Sequence, residues 1–134
     1  MATVLSESSV SKKANVIGWI LSILPCLLML MSAAMKFIKP AGFADGLEHM
    51  GWQESSMTII GVVEILIIVI YLIPKTSILG AILIVAYLGG AVATHVRVEE
   101  GAFPVIFAAI FGVLVWVGLY LRDPLVRALL PLRK

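Results

Sequence analysis

The chain has 134 residues, of which 61% are hydrophobic and 13% are charged, and its net charge is +2. Soluble domains are roughly half apolar and a quarter charged, so this composition predicts an integral membrane protein without a separate soluble domain. The small net charge argues against nucleic-acid binding, and the single cysteine, Cys26, excludes an internal disulfide or a cysteine metal site.

Four apolar runs are long enough to cross the roughly 30 Å hydrocarbon core of a membrane, which takes about 20 helical residues. The predicted spans are residues 15–37, 56–73, 77–96 and 103–121. The sequence therefore predicts an all-α polytopic membrane protein, a bundle of four transmembrane helices in one domain that covers residues 14–134.

The segment before the first span is polar and rich in serine, and residues 1–13 are predicted to be a disordered cytoplasmic tail. A lysine pair, an apolar core and the small residues 32–34 also fit a secretory signal with its cleavage site. A membrane anchor is preferred because the apolar run is long for a signal and three further spans need a packing partner.

The connector between spans one and two, residues 38–56, is too polar to span the membrane. Its apolar side chains Phe43, Leu47 and Met50 share one helical face, while Asp45 and Glu48 lie on another. This pattern predicts a short interfacial helix, with Trp52 as an aromatic anchor. A loop without helical structure is the alternative.

The distribution of cations predicts the orientation. Four spans place both termini on one side of the membrane, and seven of the ten Lys and Arg residues lie on that side. The three others are Lys36, Lys39 and Arg97. The positive-inside rule therefore predicts cytoplasmic N and C termini.

Small residues predict where helices pack closely. Gly89 and Ala93 form a small-xxx-small pair in span three, with Gly90 beside them, and we expect a neighbouring helix against this face. In span one, a second face with helical spacing is expected to point into the bundle; it consists of Gly18, Ser22, Pro25, Met29, Ser32 and Lys36.

Four ionisable residues, Lys36, Glu64, His95 and Arg97, are predicted to converge in the outer leaflet. Glu64 lies about eight residues into span two, roughly 12 Å deep, and therefore needs a cation or a proton. We expect it to pair with Arg97, His95 or Lys36. The cluster is interpreted as a structural clamp, as the lining of a pocket for a ligand or proton transfer, or as residues that reach the interface.

No sequence motif assigns a catalytic residue. The chain contains no P-loop, GxGxxG, HExxH or GxSxG pattern. His49 has no second His or Cys at metal-binding spacing and is expected at the surface. His95 with Glu99 or Glu100 is a weak candidate for a metal site, and no metal is predicted. No cofactor is evident from the sequence, and quinone is a possible one.

Several segments resemble the DoxX-like family of small bacterial membrane proteins. They are GWILSILP at 18–25, SAAMKFIKP at 32–40, HMGWQES at 49–55, GVVEILIIVIYLIPKTSILGAIL at 61–83, YLGGAVATHVRV at 87–98 and VLVWVGLYLRDPLVRALLPLR at 113–133. The resemblance implies a four-helix bundle in a bacterial inner membrane. The family is named for a subunit linked to thiosulfate and quinone oxidation, and distant relatives act as assembly or trafficking factors.

Three functional hypotheses follow. The first is an accessory subunit of a redox or stress-response system that binds quinone or another lipophilic small molecule near the outer leaflet. The second is a non-catalytic assembly or scaffolding factor, and the third is a small transporter, which would need dimerisation for alternating access. The expected partners are the lipid bilayer, membrane or redox proteins, or a second copy in a homo-oligomer, and catalysis by the isolated chain is not predicted.

Overall fold

The computed structural model describes residues 9–131, and this part of the chain is all-α. Its helices are α1 (Lys12–Ile38), α2 (Phe43–Met50), α3 (Glu54–Leu72), α4 (Ser77–Arg97), α5 (Ala102–Arg122) and α6 (Pro124–Leu129), with a 3-10 turn at Pro74–Thr76. The fold class is confirmed, including the short helix between spans one and two. The ends of the four long helices lie within three residues of the predicted positions.

The four long helices are α1, α3, α4 and α5, and each is apolar enough to cross a membrane. Their most hydrophobic stretches have mean hydropathies of 2.0 to 2.4. Large apolar side chains such as Ile59 and Val113 are exposed on the outside of the bundle. Their contact with water would be unfavourable, whereas contact with lipid chains is not. The chain is therefore a multi-pass membrane protein.

Each long helix packs against two others, in the order α1, α3, α4, α5 around the bundle. Successive spans run in opposite directions because their connections are short. One end, here called the connector end, carries α2 and the turn at 99–101. The opposite end, here called the terminal end, carries the start of α1 and the end of α5.

The first helix begins three residues before the predicted span, and a short helix follows the last span. Helix α1 begins at Lys12, because the Ser11 hydroxyl accepts a hydrogen bond of 3.2 Å from the Ala14 amide and caps the first turn. Predicted disorder further towards the N terminus concerns residues 1–8, which lie outside the described residues. After α5, a further short helix, α6, extends from Pro124 to Leu129.

The face of α1 that was expected to point inward does so. Gly18, Ser22, Pro25 and Met29 are buried, and the remaining members, Ser32 and Lys36, are half-buried. Helix α1 continues through Pro25 without interruption. A single helix face thus contributes to the packed terminal end and, through Ser32 and Lys36, to the connector end.

Glycines bring α1 and α5 together at the terminal end. A Cβ atom on Gly118 would lie 2.6 Å from Ser22 Oγ and 2.9 Å from the Gly18 carbonyl oxygen. A Cβ on Gly18 would lie 2.8 Å from the Gly118 carbonyl oxygen. Side chains cannot approach a backbone this closely, so only glycine permits the contact between these helices.

A polar network joins the helices beside this contact. The Tyr71 hydroxyl lies 2.7 Å from the Val115 carbonyl oxygen, to which it donates, and 2.9 Å from Ser22 Oγ. Arg122 Nε donates to Ser22 Oγ at 3.0 Å, and its guanidinium stacks 4.1 Å from the ring centroid of Trp19. Helix α3 is thereby tied to α1 and α5 at the terminal end.

The prediction of close packing at Gly89 and Ala93 is wrong for the part of the chain that the structure describes. A Cβ on Gly89 or Gly90 would meet no atom within 4 Å, and Ala93 is exposed. Small residues permit a close helix contact but equally leave open space, and the spacing alone does not distinguish the two. Gly90 faces a cavity, and Gly89 faces the outside of the bundle.

Replacing Gly118 with alanine should lower the free energy of unfolding by about 1 to 3 kcal/mol, because the added methyl group overpacks the contact between α1 and α5. Gly90→Ala is the matched control and should not destabilise, since alanine is the better helix former by about 1 kcal/mol. Thermal unfolding in detergent measures both. Equal stability of Gly118→Ala and Gly90→Ala would contradict the packing described here.

Candidate functional site

A cavity of about 910 Å³ occupies the connector end of the bundle. All four long helices and α2 contribute to its wall. Most of the lining side chains are apolar; those from α5 include Phe103, Phe107 and Phe111. The few polar lining groups, described in the following paragraphs, therefore lie within a largely apolar wall, where a polar group without a partner is costly.

An ion pair between Lys36 and Glu64 forms part of the cavity wall. Lys36 Nζ lies 2.8 Å from Glu64 Oε2, and the side chains are 13% and 1% exposed, respectively. The ammonium group also donates to Ser32 Oγ at 2.7 Å. Glu64 is too deep in α3 to reach solvent. Lys36 lies near the end of α1, and its side chain extends towards Glu64.

Tyr87 is a part of this site that the sequence analysis missed. It lies on α4 beside the Glu64 carboxylate and lines the same cavity. The signal was present in the spacing, because Tyr87, Ala91 and His95 follow one another at intervals of four residues and share a helix face. All three line the cavity.

His95 and Arg97 do not contact Glu64 in the structure. His95 Nδ1 is paired with the Glu100 carboxylate, and the ring lines the cavity. Arg97 donates through Nη2 to the Met50 carbonyl oxygen at the end of α2. Of the three partners expected for Glu64, Lys36 is the one that contacts it. Arg97 instead binds the C-terminal end of α2, where a cation is favoured.

Helix α2 covers the cavity at the connector end. Phe43, Leu47 and Met50 line it, whereas Asp45 and Glu48 are exposed on the opposite face. This is the amphipathic arrangement that the sequence predicts. The apolar face of α2 thus finds its counterpart in the cavity wall.

The cavity reaches the outside of the bundle between α1 and α5. Met31 and Met35 on α1 and Phe103 and Phe107 on α5 line the cavity and are also exposed. Side chains that meet both the cavity and the surroundings mark its opening. In a membrane, these positions face the hydrocarbon chains of the lipid.

Residues 20–118 match the model of the DoxX-like family. No curated protein and no solved structure matches the chain. The matched range contains all the residues of the cavity wall described above. The matched range ends before Arg122, so this arginine of the terminal end lies outside the match.

The ion pair can be tested by a double-mutant cycle. Glu64→Gln should lower the free energy of unfolding by about 3 to 5 kcal/mol, because it leaves the half-buried Lys36 ammonium without its counter-charge. The double mutant Glu64→Gln/Lys36→Met should be less destabilised than the sum of the single mutants, since both charges are removed together. Thermal unfolding in detergent measures all four proteins.

Arg97 provides the control for this cycle. Because Arg97 contacts Met50 and not Glu64, the effects of Glu64→Gln and Arg97→Met should add within about 0.5 kcal/mol. Additive effects for Glu64 and Lys36, or strong coupling between Glu64 and Arg97, would refute the pairing.

Proposed function

The chain belongs to the DoxX-like family, and from this membership and the geometry of the cavity we propose that it is an accessory membrane subunit that binds a lipophilic small molecule. The observation that carries the proposal is the cavity of about 910 Å³ with the Lys36–Glu64 pair in its wall. Ligand sites in proteins are apolar cavities of about 300 to 1,000 Å³ with a few polar groups that orient the ligand.

A structural clamp explains the ion pair less well. Hydrophobic residues of similar volume often stabilise a protein as much as a buried ion pair does, so a buried pair is weak evidence for a role in stability alone. A clamp is best enclosed by tightly packed side chains, whereas Glu64 and Lys36 border an open space. Ionisable groups within a membrane protein are functional candidates for this reason.

The proposed system is a redox or stress-response complex, and the proposed ligand is quinone or a related amphiphile. The family resemblance supports the link to quinone chemistry, and the opening between α1 and α5 supports entry from lipid. The distribution of Lys and Arg supports a cytoplasmic position for both termini, and in that orientation the cavity would lie in the outer leaflet.

An assembly or scaffolding factor is the second candidate. The observation in its favour is the face with Gly89 and Ala93, which meets no helix within residues 9–131. Small residues exposed on a span allow the close approach of another membrane helix. A partner membrane protein or a second copy of this chain would occupy that face, and the cavity would then contribute only to the bundle's architecture.

Two adjacent glycines separate ligand binding from stability. Gly90→Leu should place its side chain in the cavity and abolish binding, whereas Gly89→Leu, one residue away, points outside the cavity and should bind like the unmodified protein. Neither substitution meets an atom within 4 Å at its Cβ, so both proteins should remain folded. Binding of a long-chain benzoquinone is measured in phosphatidylcholine nanodiscs.

Trp52 provides the signal for this measurement, because it lines the cavity and quinones quench indole fluorescence. The quenching that Trp52→Phe removes reports occupancy of the cavity, and the remainder reports quinone dissolved in the lipid. Saturable quenching in the unmodified protein and in Gly89→Leu, with none in Gly90→Leu, is the expected result. Equal quenching in both leucine variants would contradict a ligand site in the cavity.

The orientation requires a separate test. A reporter protein that is active only in the cytoplasm, fused after Lys134, should be active because the terminal end carries most of the cations. An inactive fusion in a well-expressed protein would reverse the orientation and move the cavity to the inner leaflet.

A further inference from the structure

The hydrogen-bond donors of Lys36 are all in use. Its ammonium group has three hydrogens and lies within hydrogen-bond distance of three acceptors, at 2.7 Å from Ser32 Oγ, 2.8 Å from Glu64 Oε2 and 3.4 Å from the Ser32 carbonyl oxygen. The cation in the cavity wall is therefore satisfied by the protein. It has no hydrogen left for a ligand.

The carboxylate is less completely satisfied. Within residues 9–131, the direct hydrogen bond to Glu64 comes from Lys36 and uses Oε2, although a carboxylate can accept about four. Tyr87 lies beside it and has one hydrogen. If that hydrogen points to Glu64, the Tyr87 oxygen keeps lone pairs that can accept a hydrogen bond; if it does not, Glu64 keeps unused acceptor capacity of its own.

From this accounting we propose that the cavity selects a neutral ligand whose head group donates a hydrogen bond, an alcohol, phenol or hydroquinone, over the corresponding ketone, quinone or ether. The inference rests on the proposed function and specifies the ligand class of that same site. A hydroxyl head supplies the hydrogen that Glu64 and Tyr87 lack. Its oxygen can in turn accept from the Ser32 hydroxyl, which also lines the cavity.

Charge supports the choice of a neutral head. Lys36 and Glu64 cancel, so a carboxylate or phosphate head would meet Glu64 without a free cationic donor to compensate it. An ammonium head would meet Lys36 at close range. A neutral donor avoids both repulsions and adds a hydrogen bond to a charged acceptor, which is among the stronger hydrogen bonds in proteins.

The rest of the ligand should be an apolar chain or ring. A head group at Glu64 would be followed by the apolar wall of the cavity and by the opening at Met31, Phe103 and Phe107. The polar end of the cavity is thus buried, and its apolar end meets lipid. An amphiphile with a single small polar head matches this gradient.

Two ligands that differ in one hydrogen-bond donor test the proposal. These are 4-decylphenol and its methyl ether, 4-decylanisole, which keeps the ring, tail and oxygen but has no hydroxyl hydrogen. Binding to the full-length protein in phosphatidylcholine nanodiscs is measured by calorimetry, with empty nanodiscs subtracted for partition into lipid. The phenol should bind about tenfold more tightly than the ether, as expected for one hydrogen bond to a charged group.

Glu64→Gln should reduce this ratio to about one or reverse it, because the glutamine amide can present an N–H donor where the carboxylate presents a lone pair. Tyr87→Phe, which keeps both charges, should retain the preference for phenol. Equal binding of the two ligands by the unmodified protein would overturn the donor selectivity and leave the proposed function standing. Saturable binding of neither ligand, together with no quenching by benzoquinone, would overturn both.

Discussion

The ion pair between Lys36 and Glu64 is the interaction on which the connector end depends. A carboxylate that is 1% exposed in the middle of an apolar helix would be strongly unfavourable without a cation, and Lys36 supplies one at 2.8 Å. The pair joins α1 to α3 across the same wall that borders the cavity. A ligand in the cavity therefore meets two opposite charges, those of Lys36 and Glu64, that already balance each other.

The two ends of the bundle use polar groups differently. At the terminal end, glycines bring α1 and α5 into backbone contact, and Tyr71 and Arg122 donate hydrogen bonds to groups on neighbouring helices. At the connector end, the helices enclose a cavity, and Glu64 keeps acceptor capacity beyond its bond to Lys36. The same bundle thus combines close packing at one end with a cavity at the other.

The sequence predicted the spans, the short helix between spans one and two, and the inward face of α1 because each depends on local periodicity and hydropathy. It placed Lys36 and Glu64 in one region from topology, but it could not choose among three cations, since that choice depends on helix rotation and side-chain reach. Tyr87 was missed because neither hydropathy nor spacing shows which side chain of another helix it lies beside. The expected packing at Gly89 failed because small residues allow contact without specifying it.

The central claim is that Glu64 is an ionised carboxylate, held by Lys36, in the wall of an apolar cavity. Infrared spectroscopy of the reconstituted protein near neutral pH, taken as the difference between the unmodified chain and Glu64→Gln, tests it most directly. The account predicts that the difference spectrum contains the carboxylate stretching bands of Glu64 and no carbonyl band of a protonated acid. A protonated-acid band that disappears in Glu64→Gln would contradict the ion pair and the ligand selectivity derived from it.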